Sequence, residues 1–222
     1  EPAVFAADGT DLLGSWLAVQ RLGRPHVTVK WAQSLDGRAA ADDGTSQWIT
    51  GSAAREDVHR RRAAADVIVA GIGTVLADDP ALTARTPSGA LHESQPVPLV
   101  LGRRDVPHDA AVRRHPRPFL QRTGDDLPAV LAELRGLGFH RVFVEGGPAL
   151  ASAFLRAGLV DDVIVYVAPV LLGGARLALG EIGVPTIGSA LRLDTVSIDR
   201  LGDDVRIIAH PSSATADPTK GA

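Results

Sequence analysis

The run HRVFVEGGPALASAFLRAG, residues 140–158, limits the architecture most strongly. Its first half is a short apolar strand and its second half a helix. Two glycines and a proline between them leave space only for a tight turn. Comparable segments lie upstream: VTVKWA (27–32), DVIVAG (66–71), PVPLVLG (96–102) and, more weakly, RPFLQ (117–121) read as strands. Residues 53–64 read as a helix with Thr50 or Ser52 as N-cap, and 127–137 as a helix closed by Gly138. DVIVYVAPVLL (162–172) is a further strand, and LRLDTVSIDRLGDDVRIIAH (191–210) alternates on both sides of Gly202 as a hairpin does. Strands and helices that alternate and then finish in antiparallel strands predict an α/β domain. Its mixed, mostly parallel sheet is flanked by helices and ends in an antiparallel hairpin.

With 222 residues the chain suits one large domain, expected over 25–211, after an N-terminal connector and helix in 1–24 and before a disordered tail in 212–222. It contains no cysteine, which excludes disulfides, thiolate zinc sites and a cysteine nucleophile, and fits a cytoplasmic protein. A net charge of −3 argues against nucleic acid or membrane as a general partner, and no apolar run reaches the ~20 residues of a membrane span. The chain begins at Glu1 and has no methionine, so it reads as a processed or excised piece.

In sheets of this kind ligands gather at the carboxyl ends of strands, and the unusual polar residues lie there. Lys30 projects from mid-strand beside the small or polar Thr28 and Ala32. Glu145 ends a strand, and Gly146 and Gly147 let a ligand approach the first turn of the next helix, whose free N–H groups suit a phosphate. The plainer reading of that segment is a β–turn–α junction whose glycines serve geometry alone. In GIGTVLADDPALTAR (71–85) a turn follows a strand. There Thr74 offers a hydroxyl, Asp78 can accept from a ribose or orient Thr74, and Arg85 carries a fork suited to phosphate. Asp79 reads as a cap. In TSQWIT (45–50) Ser46 can bond a phosphate oxygen, and Trp48 either stacks on a planar ring or fills the core. Arg62, one helix length on, can reach the same anion, whereas Arg60 and Arg61 read as a solvated face. Lys30 and Glu145 form either an acid/base pair or a structural ion pair. The seven histidines show no HxH or HExxH spacing, so no metal is expected, and no G-x-S-x-G elbow marks a serine hydrolase.

Taken in order, KWAQSLDGR, SQWIT, TVLADDPALTAR, VEGGPALASAFL and DVIVYVAPVLLGG closely resemble the reductase domain of bacterial riboflavin biosynthesis, over roughly residues 26–210. In that family it is usually the C-terminal half of a bifunctional deaminase/reductase. The resemblance implies a dihydrofolate-reductase-like fold, a homodimer, and NADPH as hydride donor. The implied substrate is 5-amino-6-(5-phosphoribosylamino)uracil, a phosphorylated pyrimidine reduced to its ribitylamino counterpart. By motif, Ala32, Trp48, Thr74 and Asp78 fall at cofactor positions. The Gly146-Gly147 turn and the residues after it, Pro148, Ala149, Leu150, Ala151, Ser152 and Ala153, fall around the pyrophosphate. Ser46, Arg62, Leu82, Arg85 and Glu145 fall at substrate positions, and Lys30 faces the reacting sugar, with Lys30 and Glu145 as the catalytic pair. The H-x-E and P-C-x-x-C signature of zinc deaminases is absent, so the deaminase step lies outside this chain. Where the family often has a small hydroxyl residue after PLVLG, this chain has Gly102-Arg103-Arg104, and these arginines suit the 2′-phosphate of NADPH. A folate- or pterin-type reductase and a non-catalytic ligand-binding module are the alternatives, and the phosphate-binding set Ser46, Arg62 and Arg85 weighs against the first of them.

Overall fold

The computed structural model describes residues 22–212 and divides the chain into two compact units. One runs to Thr28 and resumes over Arg55–Gly147; the other comprises Val29–Ala54 and the chain from Pro148 onward. The expected connector and helix in 1–24 fall mostly, and the tail over 212–222 all but its first residue, outside the described residues.

Strand β1 (His26–Ser34) contributes its first residues to one unit and the rest to the other. Helix α1 (Ser52–Ala64) starts at Ser52, so Gly51, not Ser52, precedes it. In the first unit there follow β2 (Val67–Gly71), α2 (Ile72–Asp78), β3 (Val97–Leu101), β4 (Leu120–Arg122), α3 (Leu127–Gly136) and β5 (Arg141–Val144). The second unit adds α4 (Pro148–Arg156), β6 (Asp162–Ala168), β7 (Leu193–Leu201) and β8 (Asp204–Pro211). Within the first unit β4, β3, β2 and β5 are parallel neighbours in that order, with the start of β1 next. Within the second the order is β1, β6, β8, β7, and β8 runs antiparallel to both β6 and β7. This is the mixed sheet with a C-terminal hairpin that the sequence pattern predicts.

Burial explains the strand sequences. All five residues of β3 and the first four of β2 are buried, as continuous apolar runs in parallel strands require. β4 pairs with β3 only from Leu99 on, one residue past Pro98, so the missing proline N–H falls where β4 has not begun. β4 itself begins at Leu120, later than the expected 117–121, because Pro116 and Pro118 have no N–H to give a ladder. β6 stops at Ala168 for the same reason, with Pro169 next. The segment after β2, expected as a turn, is a short helix. It ends at Asp79 in the left-handed region (φ 40°), whose carboxylate accepts the Ala111 N–H at 2.7 Å, so Asp79 is a structural cap. Ile68, Leu99, Leu131 and Leu134 are fully buried in the first unit and Tyr166, Phe154 and Ile164 in the second, each contributing about 1.5–3 kcal/mol. Among the described residues no helix is long and apolar enough to cross a membrane.

Gly102, at the end of β3, has φ 145°, and a Cβ there would sit 2.8 Å from Ile72 Cβ. The loop after β3 therefore presses directly on the start of α2. Gly102→Ala is expected to lower stability by about 2–4 kcal/mol through strain and overpacking. A urea midpoint equal to that of the unsubstituted protein would contradict this.

Candidate functional site

In the first unit the end of β5 places Glu145, whose N–H continues the ladder to the Val69 carbonyl at 2.9 Å. The last turn of α1 brings Arg62 against it. Arg62 Nε donates to Oε2 at 2.7 Å and Nη2 to Oε1 at 2.9 Å, while Nη1 donates to the Thr83 carbonyl at 2.9 Å. The two side chains are only 16% and 15% exposed. Burial opposes the Arg62 charge, but the facing carboxylate outweighs it and holds the guanidinium pKa above its ordinary value. This fork is a planar, two-point grip that fixes both carboxylate oxygens. Arg62, expected at a substrate position, directs these three donors at Glu145 and Thr83.

His59 lies one turn before Arg62 on α1 and was not anticipated from the sequence. Burial first, then the Arg62 charge, push its imidazole pKa down, and its buried Nδ1 has no hydrogen-bond partner among the described residues. The i, i+3 spacing of His59 and Arg62 is the signal that could have revealed it. Leu82, expected at a substrate position, has its side chain 2% exposed but its backbone in the left-handed region at φ 55°. Such a conformation is strained for leucine and occurs where a chain is shaped for function. Arg85 closes its own turn, donating to the Gly89 carbonyl at 2.7 Å.

Thr74 and Asp78 lie one turn apart on the same face of α2. The Thr74 hydroxyl accepts the Gly147 N–H at 3.2 Å, so Thr74 is oriented by the glycine turn and not by Asp78. At the ends of β3 and β4, a cavity of about 530 Å³ is lined by Gly102, Arg103, Gln121, Arg122 and Glu133 among others. Arg103 is bound to Asp125 at 2.9 Å, and Arg122 to both oxygens of Glu133. Arg104 has no such carboxylate partner among the described residues, and its guanidinium lies 3.8 Å from where a Cβ on Gly73 would stand. Gln121 Nε2 braces this loop, donating to the Arg104 carbonyl at 2.7 Å. Of the two arginines singled out in the sequence, Arg104 is thus the one left available beside α2.

The second unit carries Lys30, Ala32, Ser46, Trp48 and α4. The Lys30 ammonium lies 5.7 Å from the centroid of the buried Tyr166 ring, a cation–π distance. Trp48 is 70% exposed, which excludes the core alternative. Pro148 opens α4 as expected, and Ala149 and Leu150 follow in its first turn. Ala151 and Ser152 are buried, and the Ser152 hydroxyl accepts the Gly180 N–H at 2.8 Å. These two side chains lie on the buried face of α4, and Ala153 is partly buried beyond them. Among the described residues no cluster of histidine and carboxylate groups could hold a metal ion.

The model of the RibD C-terminal domain matches residues 25–207. The chain belongs to the RibD C-terminal domain family. Riboflavin biosynthesis protein RibD of Mycobacterium tuberculosis (strain H37Rv) is 50% identical over 195 residues, which cover 87% of this chain and 56% of that protein. Among solved structures, Acinetobacter baumannii RibD, form 1, has a TM-score of 0.81 at 34% identity over 91% of this chain and 62% of its own. A Thermotoga maritima protein described as a diaminohydroxyphosphoribosylaminopyrimidine deaminase/5-amino-6-(5-phosphoribosylamino)uracil reductase has a TM-score of 0.73 at 25% identity over 90% of this chain and 60% of its own. The chain thus spans less than two thirds of the length of these RibD relatives. The fold is dihydrofolate-reductase-like: Enterococcus faecalis dihydrofolate reductase matches it with a TM-score of 0.50 at 14% identity.

Proposed function

We propose that this RibD-type domain is an NADPH-dependent reductase that converts 5-amino-6-(5-phosphoribosylamino)uracil to its ribitylamino counterpart. The observation that carries the reading is the Arg62–Glu145 fork at the end of β5, directly before the Gly146-Gly147 turn. A carboxylate fixed at both oxygens is suited to accept from sugar hydroxyls and costs no reorganisation when they arrive. In this reading Arg85 and Ser46 meet the ribose phosphate, Arg85 releasing Gly89 to do so, and Leu82 shapes the substrate site through its backbone.

The residues present fit a phosphorylated dinucleotide. Trp48 offers a planar face, Thr74, Asp78 and the glycine turn offer polar contacts, the first turn of α4 offers N–H groups, Ala32 leaves space, and Arg104 supplies a cation. A nicotinamide held there would supply the hydride that C1′ of the ring-opened sugar needs. The imine nitrogen that takes up the electron pair needs a proton, and Lys30 delivers it from its ammonium group. A folate-type substrate has no use for Arg85 and Ser46 as phosphate ligands.

The test is NADPH oxidation with the phosphorylated pyrimidine. Turnover is expected with NADPH. Arg104→Ala is expected to reduce the NADPH-over-NADH preference about 10–100-fold, the worth of one charge-assisted contact, while Arg103→Ala changes it much less. Cofactor binding without turnover would instead support a non-catalytic module, and an unchanged preference in Arg104→Ala would remove that arginine from the site.

The chain is also proposed to act as a homodimer. Among the described residues edge strand β7 has β8 as its neighbour, and it exposes the apolar side chains of Val196 and Ile198, which a second copy of the chain would cover. Ile198→Asp is expected to shift sedimentation towards monomer; an unchanged sedimentation coefficient would place the interface elsewhere.

A further inference from the structure

We propose that residues 45–50, which carry Ser46 and Trp48, form a preset binding platform, and that Asp204 and Arg176 are the positioning residues that hold its two ends. The inference rests on the reading of Trp48 as a cofactor contact. All of the contacts involved lie within the second unit.

At the downstream end the Asp204 carboxylate, 3% exposed, accepts the Gly51 N–H at 2.7 Å through Oδ2. Asp204 pairs with Leu201 to close the β7–β8 hairpin, and a Cβ on Gly202 would lie 3.7 Å from that of Ala53. The hairpin tip therefore rests against the junction between the loop and α1. The two partners are 153 residues apart in sequence, so this is a tertiary contact and not a local cap.

At the upstream end Arg176 Nε donates to the Asp42 carbonyl at 3.0 Å, and the Arg176 carbonyl accepts the Ala39 N–H at 2.9 Å. The bare Cα of Gly44 lets the guanidinium lie close; a Cβ there would approach it to 3.3 Å. Asp43 then accepts from the Thr45 N–H at 2.9 Å and the Thr45 hydroxyl at 2.7 Å, which turns the chain into the loop.

Between these anchors Trp48 keeps 70% of its surface exposed. An exposed indole on a loose loop would lose conformational freedom on meeting a ring; one on a loop tied at both ends has already lost it. The anchors therefore act on ligand affinity through Trp48 without touching the ligand. They should affect binding far more than the chemical step.

Hydrogen exchange, NADPH titration, thermal melting and steady-state kinetics of Asp204→Ala, Asp204→Asn, Arg176→Ala and Trp48→Ala separate the possibilities. Asp204→Ala is expected to speed exchange in residues 45–51 and weaken NADPH binding about 10-fold, with kcat at saturating NADPH within about 3-fold. Asp204→Asn, whose amide oxygen can still accept from Gly51, is expected to restore both. Should Asp204→Ala fail to fold, Arg176→Ala at the exposed anchor is expected to give the same pattern. Unchanged exchange at 45–51, no rescue by asparagine, or equal losses in binding and kcat would overturn the proposal. If Trp48→Ala binds NADPH normally, the reading of Trp48 fails and the platform with it, whereas normal exchange with a Trp48→Ala defect overturns the anchors alone.

Discussion

Arg62→Ala is expected to cost about 3 kcal/mol of stability and to lower kcat/KM for the phosphorylated substrate at least about 10-fold. The stability cost follows from leaving Glu145 at the end of β5 without the guanidinium that faces both of its oxygens; breaking a buried pair costs about 3–5 kcal/mol, and these side chains retain some solvent. Loss of the hydrogen bond to the Thr83 carbonyl adds to it and loosens the segment leading to Leu82. The kinetic cost follows from the freed rotation of a carboxylate that is proposed to meet the sugar. Arg62→Lys should recover only part of either loss, because an ammonium group cannot form the two-point grip. Urea melts and steady-state kinetics on both variants provide the check; a lysine variant equal to the unsubstituted protein would show that charge alone matters.

Lys30→Ala is expected to reduce kcat about 10²–10³-fold while changing NADPH affinity less than about 3-fold. Lys30 stands in the middle of β1 next to the fully buried Val29, so its backbone is held by the sheet and its stem has few alternative paths. Its ammonium group lies 5.7 Å from the centroid of the Tyr166 ring, a cation–π distance that helps fix its direction. Pre-steady-state hydride transfer alongside a cofactor titration separates the two effects, and an equal loss in both would exclude the proton-donor role.

Local pattern revealed most of the strands, helices α1, α3 and α4, the hairpin about Gly202 and Pro148 at a helix start, because each follows from the conformational limits or burial of residues close in sequence. The resemblance carried by five motifs led to the family that the comparisons show. Errors of boundary arose where proline cut short an apolar run, at β4 and β6, and α2 stands where a turn was expected. Larger revisions concern partners. The sequence displays Arg62 and Arg85 as two similar basic groups, yet one is bound to a carboxylate 83 residues away and the other to a carbonyl in its own turn. Arg103 and Arg104 are adjacent and chemically identical; only the fold gives one of them Asp125 and leaves the other beside Gly73. Likewise nothing local distinguishes Asp204 from Asp203, although one is buried against Gly51 and the other is exposed on the hairpin. Local sequence determines which residues can be buried, and therefore which strands and helices form. Which charge meets which depends on distances between segments remote in the chain, and those exist only once the strands have paired.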